Sequence, residues 1–142
     1  MKLQEKINRN KFLKQLGFTG AALFALYTTE SCKNEAAGVT PLPSSGLTLD
    51  LTDSSYANLK KTGGYIIKSG IVVANYNGNY IAATLTCSHE GRQQITFQSN
   101  QWYCTAHGAR FDVTGKGLNS EGKKGLTIYQ VSLSGNTLTI TA

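Results

Sequence analysis

Only three cysteines, two histidines, two prolines and one tryptophan occur in the 142 residues. Three cysteines cannot build a disulfide-rich scaffold. No C-x-x-C-H is present for haem attachment, and no G-x-G-x-x-G for a dinucleotide. Charged residues make up 15% of the chain, with no dense Lys/Arg stripe after the N-terminal segment and no phosphate-cradle motif around the glycines. Nucleic-acid binding is thereby disfavoured despite a formal net charge of +6. Half of that excess sits in residues 1–31, where Lys2, Lys6, Arg9, Lys11 and Lys14 face only Glu5 and Glu30. The length allows one domain with one core, and no internal repeat is visible.

What is present begins with an address. Residues 1–31 read as an export signal: a basic stretch to Lys14, a largely apolar run from Leu16 to Tyr27, then Thr29-Glu30-Ser31-Cys32. The apolar run is too short to cross a hydrocarbon core comfortably. Ser31-Cys32 resembles the end of a bacterial lipobox, in which the cysteine is acylated and becomes the new N-terminus, although Thr29 and Glu30 depart from the usual pattern. An unprocessed thiol at Cys32 is the alternative. Arg9-Asn10-Lys11-Phe12-Leu13-Lys14 resembles the twin-arginine export hexamer with its second arginine replaced by Asn10. The expected location is the bacterial periplasm or cell envelope, anchored to a membrane. Residues 32–46, rich in Ala, Ser, Pro and Gly, read as a flexible tether, and the folded domain is expected over residues 47–142.

From Leu47 onward the pattern is all-β. Tyr65–Lys68, Ile71–Ala74 and Tyr80–Thr84 are short apolar runs bounded by Ser69-Gly70 and by Asn77-Gly78, a strong hairpin signal. Tyr129, Val131 and Leu133 alternate with polar residues, which puts one face in the core, and Leu138 and Ile140 repeat the pattern after Gly135-Asn136. Asp53 to Lys61 is the one stretch with helical character, with Asp53 as N-cap and Gly63-Gly64 as stop.

Apart from Cys32, every cysteine and histidine falls in two short segments, Cys87-Ser88-His89-Glu90-Gly91 and Cys104-Thr105-Ala106-His107-Gly108-Ala109-Arg110-Phe111. Four such donors hold either a single zinc ion or an iron–sulfur cluster. A C-x-H loop and a C-x2-H loop, with 14 residues between His89 and Cys104, resemble the Rieske family, and GGYIIKSGIVVANYNG and FDVTGKGLN add to the likeness. The resemblance implies a small Rieske-like domain of antiparallel sheets with a two-loop cluster-binding part. It also implies one 2Fe-2S cluster, with Cys87 and Cys104 on an inner iron and His89 and His107 on an outer one. Neutral imidazoles in place of two thiolates raise the potential.

High-potential members of that family carry a disulfide between the loops, at the positions held here by Arg92 and Ala106, and hydroxyl donors to sulfur where this chain has Ala109 and Phe111. Their loss implies a potential in the lower part of the range of about −150 to +300 mV, and Glu90 adds a negative charge in the same direction. The expected function is one-electron transfer by a tethered, ferredoxin-like carrier serving redox protein partners. The alternatives are the iron–sulfur subunit of a larger oxidoreductase and, in a different class, a redox-sensing or zinc-binding module. No catalytic site of its own is expected, because both histidines are already used and an oxygenase needs a second iron site.

Overall fold

The structure, a computed structural model, describes residues 42–142. The export segment, Cys32 and most of the tether lie outside the described residues. Among the described residues there are nine strands and one short 3-10 helix: β1 Leu47–Asp50, the helix Ser54–Lys60, β2 Tyr65–Lys68, β3 Ile71–Tyr76, β4 Asn79–Thr84, β5 Ile95–Gln98, β6 Gln101–Cys104, β7 Arg110–Phe111, β8 Ile128–Ser134 and β9 Thr137–Thr141. The all-β reading holds.

Turn chemistry sets the local architecture. Four hairpins close with two-residue loops: Ser69-Gly70, Asn77-Gly78, Ser99-Asn100 and Gly135-Asn136. Asn77 and Gly78 have φ of 53° and 88°, the doubly left-handed geometry that matches strand twist. The helix begins where expected, with the Asp53 carboxylate accepting from the Ser55 N–H at 2.9 Å.

The strands form a six-stranded antiparallel sheet in the order β1-β9-β8-β4-β3-β2 and a three-stranded sheet β5-β6-β7. Strand β3 explains how the two are joined. Its residues from Ile71 to Asn75 are all buried, so alternate side chains enter two different cores. Val72 and Ala74 pack with Ile95, Phe97, Trp102, Phe111 and the two cysteines of the loop segments. Ile71 and Val73 pack on the other side with Leu49, Leu59, Leu138 and Ile140. The first core therefore links the large sheet to the small one and forms the floor under both loops. Leu42, within the stretch read as tether, packs against the second core.

One part of the core pattern differs. Tyr129 is buried and Val131 half-buried, but Leu133 on the same face is 53% exposed. Strand β4 pairs with β8 only at Ile128 and Tyr129, so the far end of β8, with Leu133, has β9 alone beside it and extends past β4.

Candidate metal centre

Loop 1 grows from β4 and β5. The Thr86–Gln93 bridge and the Ile95 N–H to Leu85 carbonyl bond, at 3.2 Å, close its base. Within it the Cys87 N–H donates to the Arg92 carbonyl at 2.8 Å and the Gly91 N–H to the Cys87 carbonyl at 2.9 Å. Loop 2 joins β6 to β7 and repeats the pattern: the Cys104 N–H donates to the Ala109 carbonyl at 2.9 Å and the Gly108 N–H to the Cys104 carbonyl at 3.0 Å. Gly91 and Gly108 stand at corresponding positions with φ of 69° and 76°, a conformation that disfavours side chains bearing Cβ. The two loops are thus backbone duplicates despite their different spacings, and Glu90 is the loop-1 counterpart of His107. The Thr105 N–H, donating to the Gln94 carbonyl at 3.1 Å, ties them together at the base.

The four sequence-selected side chains come together in two layers. Cys87 and Cys104 are each 1% exposed, unpaired as a disulfide, and in contact through their thiols. Burial and the facing Cys104 push the Cys87 thiol up to about 11, while the backbone N–H groups of His89 and Glu90, aimed at its sulfur, act the other way. His89 and His107 form the outer layer, with ring centroids 5.4 Å apart. His89 Nδ1 is buried without a hydrogen-bond partner, whereas the His107 side chain is 40% exposed, with Nδ1 at 3.4 Å from Glu90 Oε2. Glu90 also meets Arg92 Nε at 3.6 Å.

These observations fit a metal cluster. A buried imidazole nitrogen with no partner needs one. Two buried thiols in contact, the Cys87 sulfur with backbone N–H donors aimed at it, suit thiolate ligation. Among the described residues, His89, Glu90 and His107 offer donor atoms all within 4.8 Å of one another, and neither cysteine joins that set. One tetrahedral ion, with bonds of about 2.0–2.3 Å, would draw all its donors closer than that.

A third segment, residues 112–127, buttresses the loops, and sequence reasoning assigned it no role. The Asp112 carboxylate accepts from Thr114 Oγ1, the Thr114 N–H and the Lys116 N–H, which holds its pKa below the ordinary 3.8. Asn119 Nδ2 donates to the Gly108 carbonyl at 2.8 Å, and its Oδ1 accepts from the N–H groups of Arg110 and Gly122 at 3.0 and 3.1 Å. Lys124 Nζ reaches the His89 carbonyl at 3.5 Å. The only hint was FDVTGKGLN, which contains Asp112 and Asn119 without revealing what they bind. The departures in the loops are also placed: Ala109 and Phe111 are fully buried, and Arg92 is exposed.

The Rieske [2Fe-2S] domain model matches residues 49–130. No curated protein matches the sequence. Among solved structures, the plasma membrane Rieske protein PetC3 from Synechocystis PCC 6803 is 29% identical, covering 61% of this chain and 93% of that one, with a TM-score of 0.49. The ferredoxin of carbazole 1,9a-dioxygenase from Nocardioides aromaticivorans IC177 is 23% identical over 71% of this chain and 98% of that one, at a TM-score of 0.51. A chain from the complex of reduced oxygenase and oxidized ferredoxin in carbazole 1,9a-dioxygenase is 18% identical over 70% and 94%, at 0.54. With the family model covering more than half of its length, and the two loops standing over a shared core, this chain belongs to the Rieske [2Fe-2S] domain family, a family of electron-transfer domains.

Proposed function

We propose that Cys87, His89, Cys104 and His107 hold one 2Fe-2S cluster, and that the protein is a membrane-tethered carrier of single electrons. The observation that carries the reading is the layering of donors, with buried thiols inside, imidazoles outside, and the cysteines apart from the compact outer set. Bound there, such a cluster supplies a one-electron couple. Cys87 and Cys104 bind as thiolates, with the backbone N–H groups of His89 and Glu90 supporting the Cys87 sulfur. The first core excludes water from the sulfurs. The half-exposed edge of His107 gives the path by which an electron crosses to a partner.

Ala109 and Phe111 offer no hydroxyl to sulfur, and Arg92 with Ala106 cannot form a crosslink, so the potential falls in the low part of the family range. The sequence supports export through residues 1–31, acylation at Cys32 and a tether over residues 32–46. Among the described residues no helix is long and apolar enough to cross a membrane.

Two substitutions test the halves of this reading separately. Cys104→Ser should abolish iron retention, measured as iron per chain; unchanged iron would remove Cys104 from the ligand set. Cys32→Ser in the producing cell should move the protein from the membrane to the soluble fraction, and an unchanged distribution would end the lipid-anchor proposal. Stable co-purification with a large catalytic subunit would instead favour a role inside a larger oxidoreductase.

A further inference from the structure

The surface around the His107 edge has a charge character of its own. The third segment sets Lys124 against loop 1, with Lys123 its neighbour in the chain. Lys124 Nζ reaches the His89 carbonyl, Asn119 binds the Gly108 carbonyl, and a Cβ placed on Gly122 would press on the Arg110 carbonyl. Of the neighbouring acids, Glu90 lies between Arg92 and His107 and Asp112 is taken up by its own turn, while Glu121, which accepts from Ser120 Oγ at 2.6 Å, keeps its charge and offsets one of the two lysines. Lys123 and Lys124 are exposed and, among the described residues, have no carboxylate partner. Leu118, 52% exposed, is joined through its N–H to the Arg110 carbonyl beside loop 2.

Resting on the reading of His107 as the electron exit, we propose that this face is a docking surface for a protein redox partner with an acidic patch around its own cofactor, steered by Lys123 and Lys124. Electron-transfer encounters bury little area, so affinity is low and charge complementarity governs the rate of productive approach. Two ammonium groups without a carboxylate partner, one of them at the His89 carbonyl, supply the steering, and the exposed Leu118 side chain adds apolar surface next to β7. An anionic membrane is the weaker occupant, because it would press the exit edge against headgroups that accept no electron.

The test uses the reduced holoprotein and two simple oxidants standing in for acidic and basic partners. Hexacyanoferrate(III), a trianion, takes one electron from the protein and becomes the tetraanion, with no bond made or broken. Tris(phenanthroline)cobalt(III), a trication, does the same with the opposite charge. In stopped flow at low ionic strength, K123E/K124E should slow oxidation by the anion about tenfold and speed oxidation by the cation, with both differences closing in about 0.5 M salt. The midpoint potential should move little by comparison. K60E/K61E changes the net charge equally on the exposed end of the 3-10 helix and should alter either rate less than about twofold. Equal effects from the two pairs, or none from either, would overturn the proposal, as would loss of binding to phosphatidylglycerol vesicles in K123E/K124E with both rates unchanged. Iron content reports on the ligand set and the ratio between the two pairs reports on the surface, so the readings can fail separately; a protein without iron would overturn both.

Discussion

Ala109 and Phe111 are small in number but large in consequence. Both are fully buried beside the cysteines, and neither can donate to sulfur. A hydrogen bond to a charged sulfur favours the more negative, reduced state, so A109S/F111Y should raise the midpoint potential. Taking about 1.4 kcal/mol per added bond, the shift is roughly 60 mV for each in a one-electron couple. Protein-film voltammetry reads it directly, and an unchanged or lower potential would sink this assignment. Asn119 works differently, through three hydrogen bonds that fix Gly108, Arg110 and Gly122. Asn119→Ala should destabilise the folded protein by about 2 kcal/mol in urea unfolding. Asn119→Asp keeps the acceptor for two of the three bonds and should lose less; equal losses would mean that the side chain merely fills space.

At the level of elements, the third segment decides whether the loops are held. Gly122 is buried with its Cα against the Arg110 carbonyl, where a Cβ cannot fit without moving backbone. Gly122→Ala should therefore loosen loop 2, seen as faster amide exchange at Cys104 to Ala109, with exchange at β1 and β9 unchanged. The Asp112 turn carries a pH signature. Its carboxylate pKa is lowered in the folded state by Thr114 and Lys116, so its contribution is fully present above the unfolded value and is lost as pH falls through the lower folded one. Asp112→Asn should flatten the stability profile below about pH 4, and an acid limb identical to the parent's would remove the turn from the ledger of acid sensitivity. The hairpins at Asn77-Gly78 and Gly135-Asn136 were readable from the sequence because their residue types dictate positive φ. Ser99-Asn100 escaped notice, since Ser carries no strong preference for that geometry although its φ is 51°. The loop pairs were readable because cysteine and histidine are so scarce here. The buttress was not, because Asn119 acts through backbone carbonyls that only the fold brings near, and Leu133 was misread because alternation fixes a face but not how far its cover extends.

For the whole molecule, one double-faced strand, β3, unites two cores, and the loops stand on the one that joins both sheets. The sulfurs thus share a floor with Trp102 and Phe111, and loop geometry is coupled to global folding rather than to a crosslink. Ligand and fold should stabilise one another: a cluster held by four side chains from two loops raises the apparent melting temperature of the holoprotein over the cluster-free chain. The most direct check of the proposed ligand set is low-temperature electron paramagnetic resonance on the purified, dithionite-reduced protein, with iron and zinc quantified in the same sample. A Rieske-type signal with two irons per chain is the predicted result; a colourless, signal-free protein carrying one zinc ion per chain would contradict it.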